Sequence, residues 1–496
     1  MGQDRPVSLD HQQCYEALRS RDTRFDGRFW VGVRTTGVYC RPVCPSRTPL
    51  SRNVDFYAHP AAAEDAGLRP CRRCRPEAAP GSSGWKGAAG VVDRAVRLID
   101  EGALDDGDVA ALARRLHVGD RHLRRLFVEH LGTTPDAVAR SRRAHLARRL
   151  LADTDLRVAD IAFAAGFGSV RQCNDVLKAT FRATPTELRA DLRPARGTPS
   201  RTGSAEVTPP RTGSAGVAPS GTLTLRLAVR RPFDGAALLD WFAARAVAGL
   251  EVVDAETYTR RVAVGDRTGA VTIRPTGDAV VLDVDLPPDT HLGSLVAGAR
   301  RAFDLGADPV AVDEHLGTDP LLGPLVARRP GIRVPGSWGG FEAGVRAVIG
   351  QQISVAAART VLGRIVAAHG RDGAFPEPED LADAPLEQLG IIGQRADTIR
   401  RLADAVLAGA VVLDGSVPHE ELVASLVALK GIGPWSAEYV ALRLGEPDAF
   451  PAGDLHLRRM LDATNDRTAI ARAEAWRPWR AYAAMHLWQT PREERP

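Results

Sequence analysis

Lysine is nearly missing from this 496-residue chain: it occurs at positions 86, 178 and 430 only, against 62 arginines. The net charge is +4, so no overall polyanion affinity follows from charge alone. No apolar run approaches the roughly 20 residues of a membrane span, and MGQDRPVSLDHQQ lacks the cationic and apolar pattern of an export signal. A cytoplasmic protein with no membrane partner is expected. Cysteine is sparse as well. Of six, Cys40, Cys44, Cys71 and Cys74 form two close pairs, which favours metal or catalysis over disulfides. None lies beyond Cys173, which excludes a cysteine-held iron–sulfur cluster from the last three hundred or so residues. Aromatics make up 5% of residues and hydrophobic residues 44%, enough for several packed cores at this length.

Cys40-x3-Cys44 and Cys71-x2-Cys74 have the spacing of a four-thiolate zinc site, with one Zn²⁺ per chain expected. Arg41, Arg47, Arg69, Arg72, Arg73 and Arg75 crowd the pairs and suit a site of net negative charge, or phosphates. The segments TTGVYCRPVCPSR (35–47) and RPCRRCR (69–75) resemble the N-terminal domain of Ada-type alkylation regulators. The resemblance implies that Cys40 accepts a methyl group from a DNA methylphosphotriester, and that Thr36, Arg47 and Arg69 contact or support DNA. Cys14 and Cys173 read as packing residues.

Residues 78–86 (AAPGSSGWK) read as a linker. A helical stretch follows to about 193, with a weak internal duplication over 109–131 and 158–181. Each unit is an apolar-periodic helix, a short break with glycine, and a second helix. This is similar to the paired helix-turn-helix domain of AraC-type regulators. It implies promoter DNA and RNA polymerase as partners. Arg121, His122, Arg124 and Arg125 then lie on the first recognition helix, and Ser169, Arg171, Gln172 and Asn174 on the second. Ten arginines between 114 and 149 face only Asp120, Glu129 and Asp136, a skew that suits phosphate contact. Residues 194–221 hold a near-duplicate TPSRTGSAEV/TPPRTGSAGV. That composition predicts a disordered tether leaving the two halves free of each other.

Beyond it, period-2 runs at 223–229, 260–264, 270–273 and 280–284, with a helix over 236–248, predict a small α+β unit; the chain is helical from 292 onward. The segment 426–454, LVALKGIGPWSAEYVALRLGEPDAFPAGD, reads as helix, hairpin, helix and a loop ending in one carboxylate. Gly431 and Gly433 can supply positive φ, and Pro434 suits the first turn of the second helix. The hairpin's free N–H groups make a sequence-blind phosphate seat. Leu429–Trp435 with Asp454 downstream, together with GVRAVIGQQIS (344–354), resembles the helix-hairpin-helix DNA glycosylases, and among them the AlkA-type 3-methyladenine enzymes. The likeness covers about 223–489.

That resemblance implies that Gly431, Ile432 and Gly433 grip the DNA backbone and that Asp454 drives base excision. Trp435, Tyr439, Trp488 and Trp241 would line the base pocket, and Gln352 would fill the gap left by a flipped base. Trp435 stands where lyase relatives carry a nucleophilic lysine, so a monofunctional enzyme is expected. Direct water attack and a sugar–carboxylate intermediate both remain open. Glu438 and Glu446 read as solvated. Gly453 and Gln489 depart from the family pattern and leave the lesion range open. No Pro-Cys-His-Arg segment occurs, so O6-alkylguanine transfer is not expected.

The expected fold is therefore multidomain: a small α+β zinc domain (1–80), an all-α paired helix-turn-helix domain (88–193), the linker (194–221), a small α+β domain (222–300) and an all-α helix-hairpin-helix glycosylase domain (301–490). The resemblances imply a bacterial, nucleoid-associated monomer acting on double-stranded DNA at alkylated bases, methylphosphotriesters and promoter sites. An alternative is a DNA-binding regulator whose second half is only a binding module. Another is an enzyme whose first half only localises it.

Overall fold

The computed structural model describes residues 10–74, 76, 90–105, 107–154, 156–192, 223–277, 279–287 and 290–490. The expected linkers at 78–86 and 194–221, and Arg75, lie outside these. Near the N-terminus, β1 (Trp30–Val33), β2 (Val38–Cys40), β3 (Val54–Tyr57) and β4 (Arg69–Pro70) form a sheet of order β3-β1-β2-β4. β4 runs parallel to β2 and pairs Val38 with Arg69, so the chain entering Cys71 passes beside the strand that ends at Cys40. That one parallel pairing brings the two cysteine pairs together.

Among the described residues seven helices follow. Val109–Arg115 with Asp120–Leu131, and Val158–Ala164 with Val170–Phe181, form the two helix-turn-helix units. The long helix Pro135–Asp153 joins them; Thr134 caps it through Oγ1 to the Ala137 N–H, with Pro135 in its first turn. In the first turn the positive φ falls on His117 (56°), while Gly119 is extended and only starts the next helix.

The second sheet has order β5-β9-β8-β7-β6, all antiparallel: β5 (Leu223–Ala228), β6 (Glu251–Val253), β7 (Tyr258–Val264), β8 (Arg267–Pro275) and β9 (Ala279–Asp285). β5 alternates buried and exposed side chains, as a one-sided sheet requires. The helix Gly235–Arg245 packs between β5 and β6 in sequence, and helices make up the rest. β6 has no counterpart in the sequence expectation; three residues are too few to show a period.

The halves are not free of each other. One apolar core runs from Ala144 and Leu150 of the long helix through β5 and on to Leu487. Asp105, between the first helices of the regulator half, takes ion pairs from Arg142 and Arg143 and meets His291 Nε2 at 2.8 Å. Its side chain is 3% exposed. Glu101 pairs with Arg301, and Arg115 with Asp414 at 2.7 Å. The freedom expected from linker composition is thus overturned: a tether's own residues say nothing about the surfaces at its two ends. The zinc unit is also tied in. Tyr39, beside Cys40, donates its hydroxyl to Glu64 at 2.7 Å, and His145 of the long helix lies 2.8 Å from the same carboxylate.

Candidate functional sites

The hairpin lies between the helices His419–Val427 and Pro434–Arg443. Gly431 has φ +103°, and a Cβ there would meet Thr398 Oγ1 at 2.0 Å, so only glycine fits. Gly433 differs from expectation. Its φ is −92° and ψ 174°, ordinary extended backbone, and it serves as N-cap with Pro434 next. Nothing lies within 4 Å of where its Cβ would be, so its value is the open space over the helix's free N–H groups. Ile432 points inward and anchors the turn.

Behind the hairpin is a cavity of about 410 Å³. Trp435 and Tyr439, one helical turn apart, stack with centroids 5.5 Å apart and planes at 10°. Trp488 meets Tyr439 edge-on at 6.4 Å and Trp241 at 5.8 Å. Asp454 stands in the wall. It caps the helix Leu455–Met460: Oδ1 accepts from the His456 and Leu457 N–H groups at 2.9 and 3.0 Å and from Trp488 Nε1 at 3.1 Å. One oxygen is therefore held by three donors, and none of these bonds involves Oδ2. All five residues expected from sequence, Asp454, Trp435, Tyr439, Trp488 and Trp241, line this one cavity.

Gln352 is exposed with φ +54°, a strained conformation for a side-chain-bearing residue, on the turn before the helix Val355–His369. Its neighbour Gln351 donates to Gly431 O at 3.0 Å and Ser436 Oγ at 2.9 Å, tying that turn to the hairpin. Glu438, expected in solvent, instead accepts from the Phe450 N–H at 2.9 Å and meets His419 at 3.0 Å. It braces the hairpin helix to the loop that presents Asp454. Glu446 is likewise half-buried, 3.7 Å from Arg97.

Sequence reasoning missed two features of the cavity. One is a buried quartet: Arg260 Nη2 bonds Glu342 at 3.0 Å, and Arg346 bonds Glu342 and Glu251 at 2.8 Å each. Burial alone would raise the Glu342 carboxyl, but the two guanidinium groups outweigh it and hold it below the usual carboxylate range. The second is Arg245, whose guanidinium carbon lies 3.4 Å from the Trp241 ring centroid. The i, i+4 spacing of Trp241 and Arg245 was the available signal.

The other cluster is Cys40, Cys44, Cys71 and Cys74, whose sulfurs all lie within 4.8 Å of one another. A tetrahedral ion with bonds of about 2.3 Å needs sulfurs about 3.8 Å apart, so the set fits zinc. Cys44, Cys71 and Cys74 are buried and Cys40 is half-buried. The Cys74 sulfur accepts the Arg41 N–H at 3.4 Å, while the Arg41 guanidinium is paired with Asp26. Thr36, in the turn between β1 and β2, and Arg47, three residues past Cys44, are exposed; Arg69 is half-buried on β4. Arg72 pairs with Asp191 at 3.0 Å.

On the recognition helices Arg121, Arg125 and Arg171 are exposed. Arg124 is engaged by Asp120 at 2.9 Å and Asp136 at 2.6 Å, and Gln172 accepts the Gly168 N–H at 3.1 Å, closing its own helix start.

The comparisons follow this layout. Residues 13–77 match the metal binding domain of Ada, 112–191 a helix-turn-helix domain, 224–339 the AlkA N-terminal domain, and 345–480 the HhH-GPD superfamily of base excision DNA repair proteins. The chain is 35% identical over 272 residues to DNA-3-methyladenine glycosylase 2 of Escherichia coli, covering 52% of this chain and 94% of that one. It is 38% identical over 144 residues to the bifunctional transcriptional activator/DNA repair enzyme Ada of the same organism, covering 29% and 39%. Among the described residues no helix is long and apolar enough to cross a membrane. A probable bifunctional transcriptional activator/DNA repair enzyme AlkA of Mycobacterium tuberculosis is 43% identical over 495 residues, 97% of this chain and 96% of that one, and the chain belongs to this family of fused activator and DNA repair proteins.

Proposed function

We propose that the repair half is a monofunctional DNA glycosylase releasing alkylated bases such as 3-methyladenine from duplex DNA, and that the regulator half senses methylphosphotriesters and activates promoters. The observation that carries the first part is Asp454, fixed by three donors in the wall of a cavity also lined by Trp241, Trp435, Tyr439 and Trp488. Breaking the base–sugar bond leaves positive charge on the sugar, and an ionised carboxylate beside it stabilises that charge. The hairpin holds a backbone phosphate, Gln352 fills the vacated stack, and the rings receive the flipped base. Water completes the reaction and leaves an abasic site.

For the regulator half, zinc when bound keeps the thiolates ionised at neutral pH. Cys40, the least buried of the four, attacks the methyl carbon. Its S–C bond forms as the methyl–oxygen bond breaks and a phosphodiester anion departs. The product has one negative charge fewer next to DNA, which favours phosphate binding. One zinc per chain, a monomer, and RNA polymerase as the activator's partner complete the proposal, with domains as expected at 1–80, 88–193, 222–300 and 301–490. Mass spectrometry of bases freed from alkylated DNA by the purified chain tests the repair half: 3-methyladenine is expected in the supernatant, and its absence would refute it.

A further inference from the structure

The cavity is lined by five arginines (245, 260, 346, 359, 443) and three carboxylates (Glu251, Glu342, Asp454). Arg260 and Arg346 are committed to Glu342 and Glu251. Arg245 is not. It donates from Nη1 to the Trp241 carbonyl at 3.3 Å, and among the described residues no carboxylate pairs with it. Burial lowers its pKa, with Tyr439 as the nearest compensating group. At 3.4 Å its guanidinium covers one face of Trp241, so that one of the electron-rich rings on which a cationic base would stack is already occupied by a cation. The pocket thus keeps a resident cation, which repels a second one and offers planar N–H donors to a neutral one.

We infer that Arg245 sets the lesion preference: it promotes excision of neutral purines with acceptor edges and handicaps bases that already carry positive charge. The inference rests on the glycosylase reading above. When a neutral purine leaves, the C1′–N9 bond breaks with its electron pair on the base. Water oxygen then bonds to C1′, and a water proton ends on the purine. The charge that develops on the departing ring is spread over its acceptor atoms, where fixed guanidinium donors stabilise it. A methylated, cationic purine departs neutral and gains nothing from such donors.

The test uses the full chain in single-turnover reactions on duplexes carrying one hypoxanthine (neutral) or one 7-methylguanine (cationic). Arg245→Met is expected to slow hypoxanthine release by about 100-fold, the usual effect of removing a donor from a developing anion. The same change raises 7-methylguanine release about threefold, as the occupied ring face opens. Arg245→Lys restores part of the hypoxanthine rate. Equal losses on both substrates mean a structural role and overturn the inference, as does an unchanged hypoxanthine rate. A wild-type chain that frees 7-methylguanine but not hypoxanthine overturns the inference and leaves the glycosylase reading standing. A chain that frees neither overturns the inference, and 3-methyladenine release from the same preparation decides the glycosylase reading separately.

Discussion

Replacing Asp454 with Asn removes one charge and little else. Oδ1 accepts all three bonds that hold the side chain, and an Asn oxygen can accept the same three. Asn and Asp are near equals as helix N-caps, so the start of the helix Leu455–Met460 survives and stability shifts by less than about 1 kcal/mol. The effect on catalysis is of another size. A carboxylate about 4 Å from a developing sugar cation, at an effective dielectric constant of about 20, contributes roughly 4 kcal/mol. That converts to a loss of about 10³-fold in the excision step. Three measurements on one preparation decide the matter: single-turnover release of 3-methyladenine, affinity for abasic-site DNA, and Tm. The expected result is a thousandfold slower release with binding and Tm close to wild type. A rate within tenfold of wild type would remove the carboxylate from the mechanism. Parallel loss of binding and Tm would show that Asp454 works chiefly as a cap.

Other outcomes follow from the same geometry. Gly431→Ala places a Cβ on Thr398 Oγ1 at a φ that L residues avoid, so DNA affinity should drop and stability fall by about 1–3 kcal/mol; a neutral Ala variant would mean the hairpin can relax. Cys44→Ala should reduce bound zinc from one equivalent to none by elemental analysis, whereas Cys40→Ser should abolish transfer of labelled methyl from phosphotriester DNA. Label that still reaches the Cys40→Ser protein would name a different acceptor. Borohydride should trap no protein–DNA adduct, since Trp435 stands where a lysine nucleophile would be needed. Asp105→Asn strips the shared partner from Arg142, Arg143 and His291; breaking such a buried set costs about 3–5 kcal/mol, and small-angle scattering should show a larger radius of gyration. An unchanged radius would assign the docking to the apolar core instead.

What could be read from the chain depended on distance along it. The hairpin, its proline and the acid downstream lie within thirty residues, and local stereochemistry made them legible. Gly433 was misread because two glycines in one turn look alike until one is found extended. The cysteine pairs were legible as a metal set because ligand spacing is itself the signal. The cavity wall was not. Glu251, Arg260, Glu342 and Arg346 meet only after the second sheet packs on the helix Gly340–Ile349, and each alone reads as a surface charge. Arg245 lies one turn from Trp241, which marks a shared face, but no periodicity says that this face looks into a pocket. Glu438 looked like a solvated acid because its partners, His419 and the Phe450 N–H, sit on either side of the hairpin helix.

Asp105 is clasped by arginines of its own half and by a histidine of the other. The helix-turn-helix units and the aromatic cavity are therefore held at one bearing on each other. A chain seated on an operator aims its repair centre at one sector of the surrounding duplex, and the reach of the enzyme from that perch is set by angle rather than by the length of any tether.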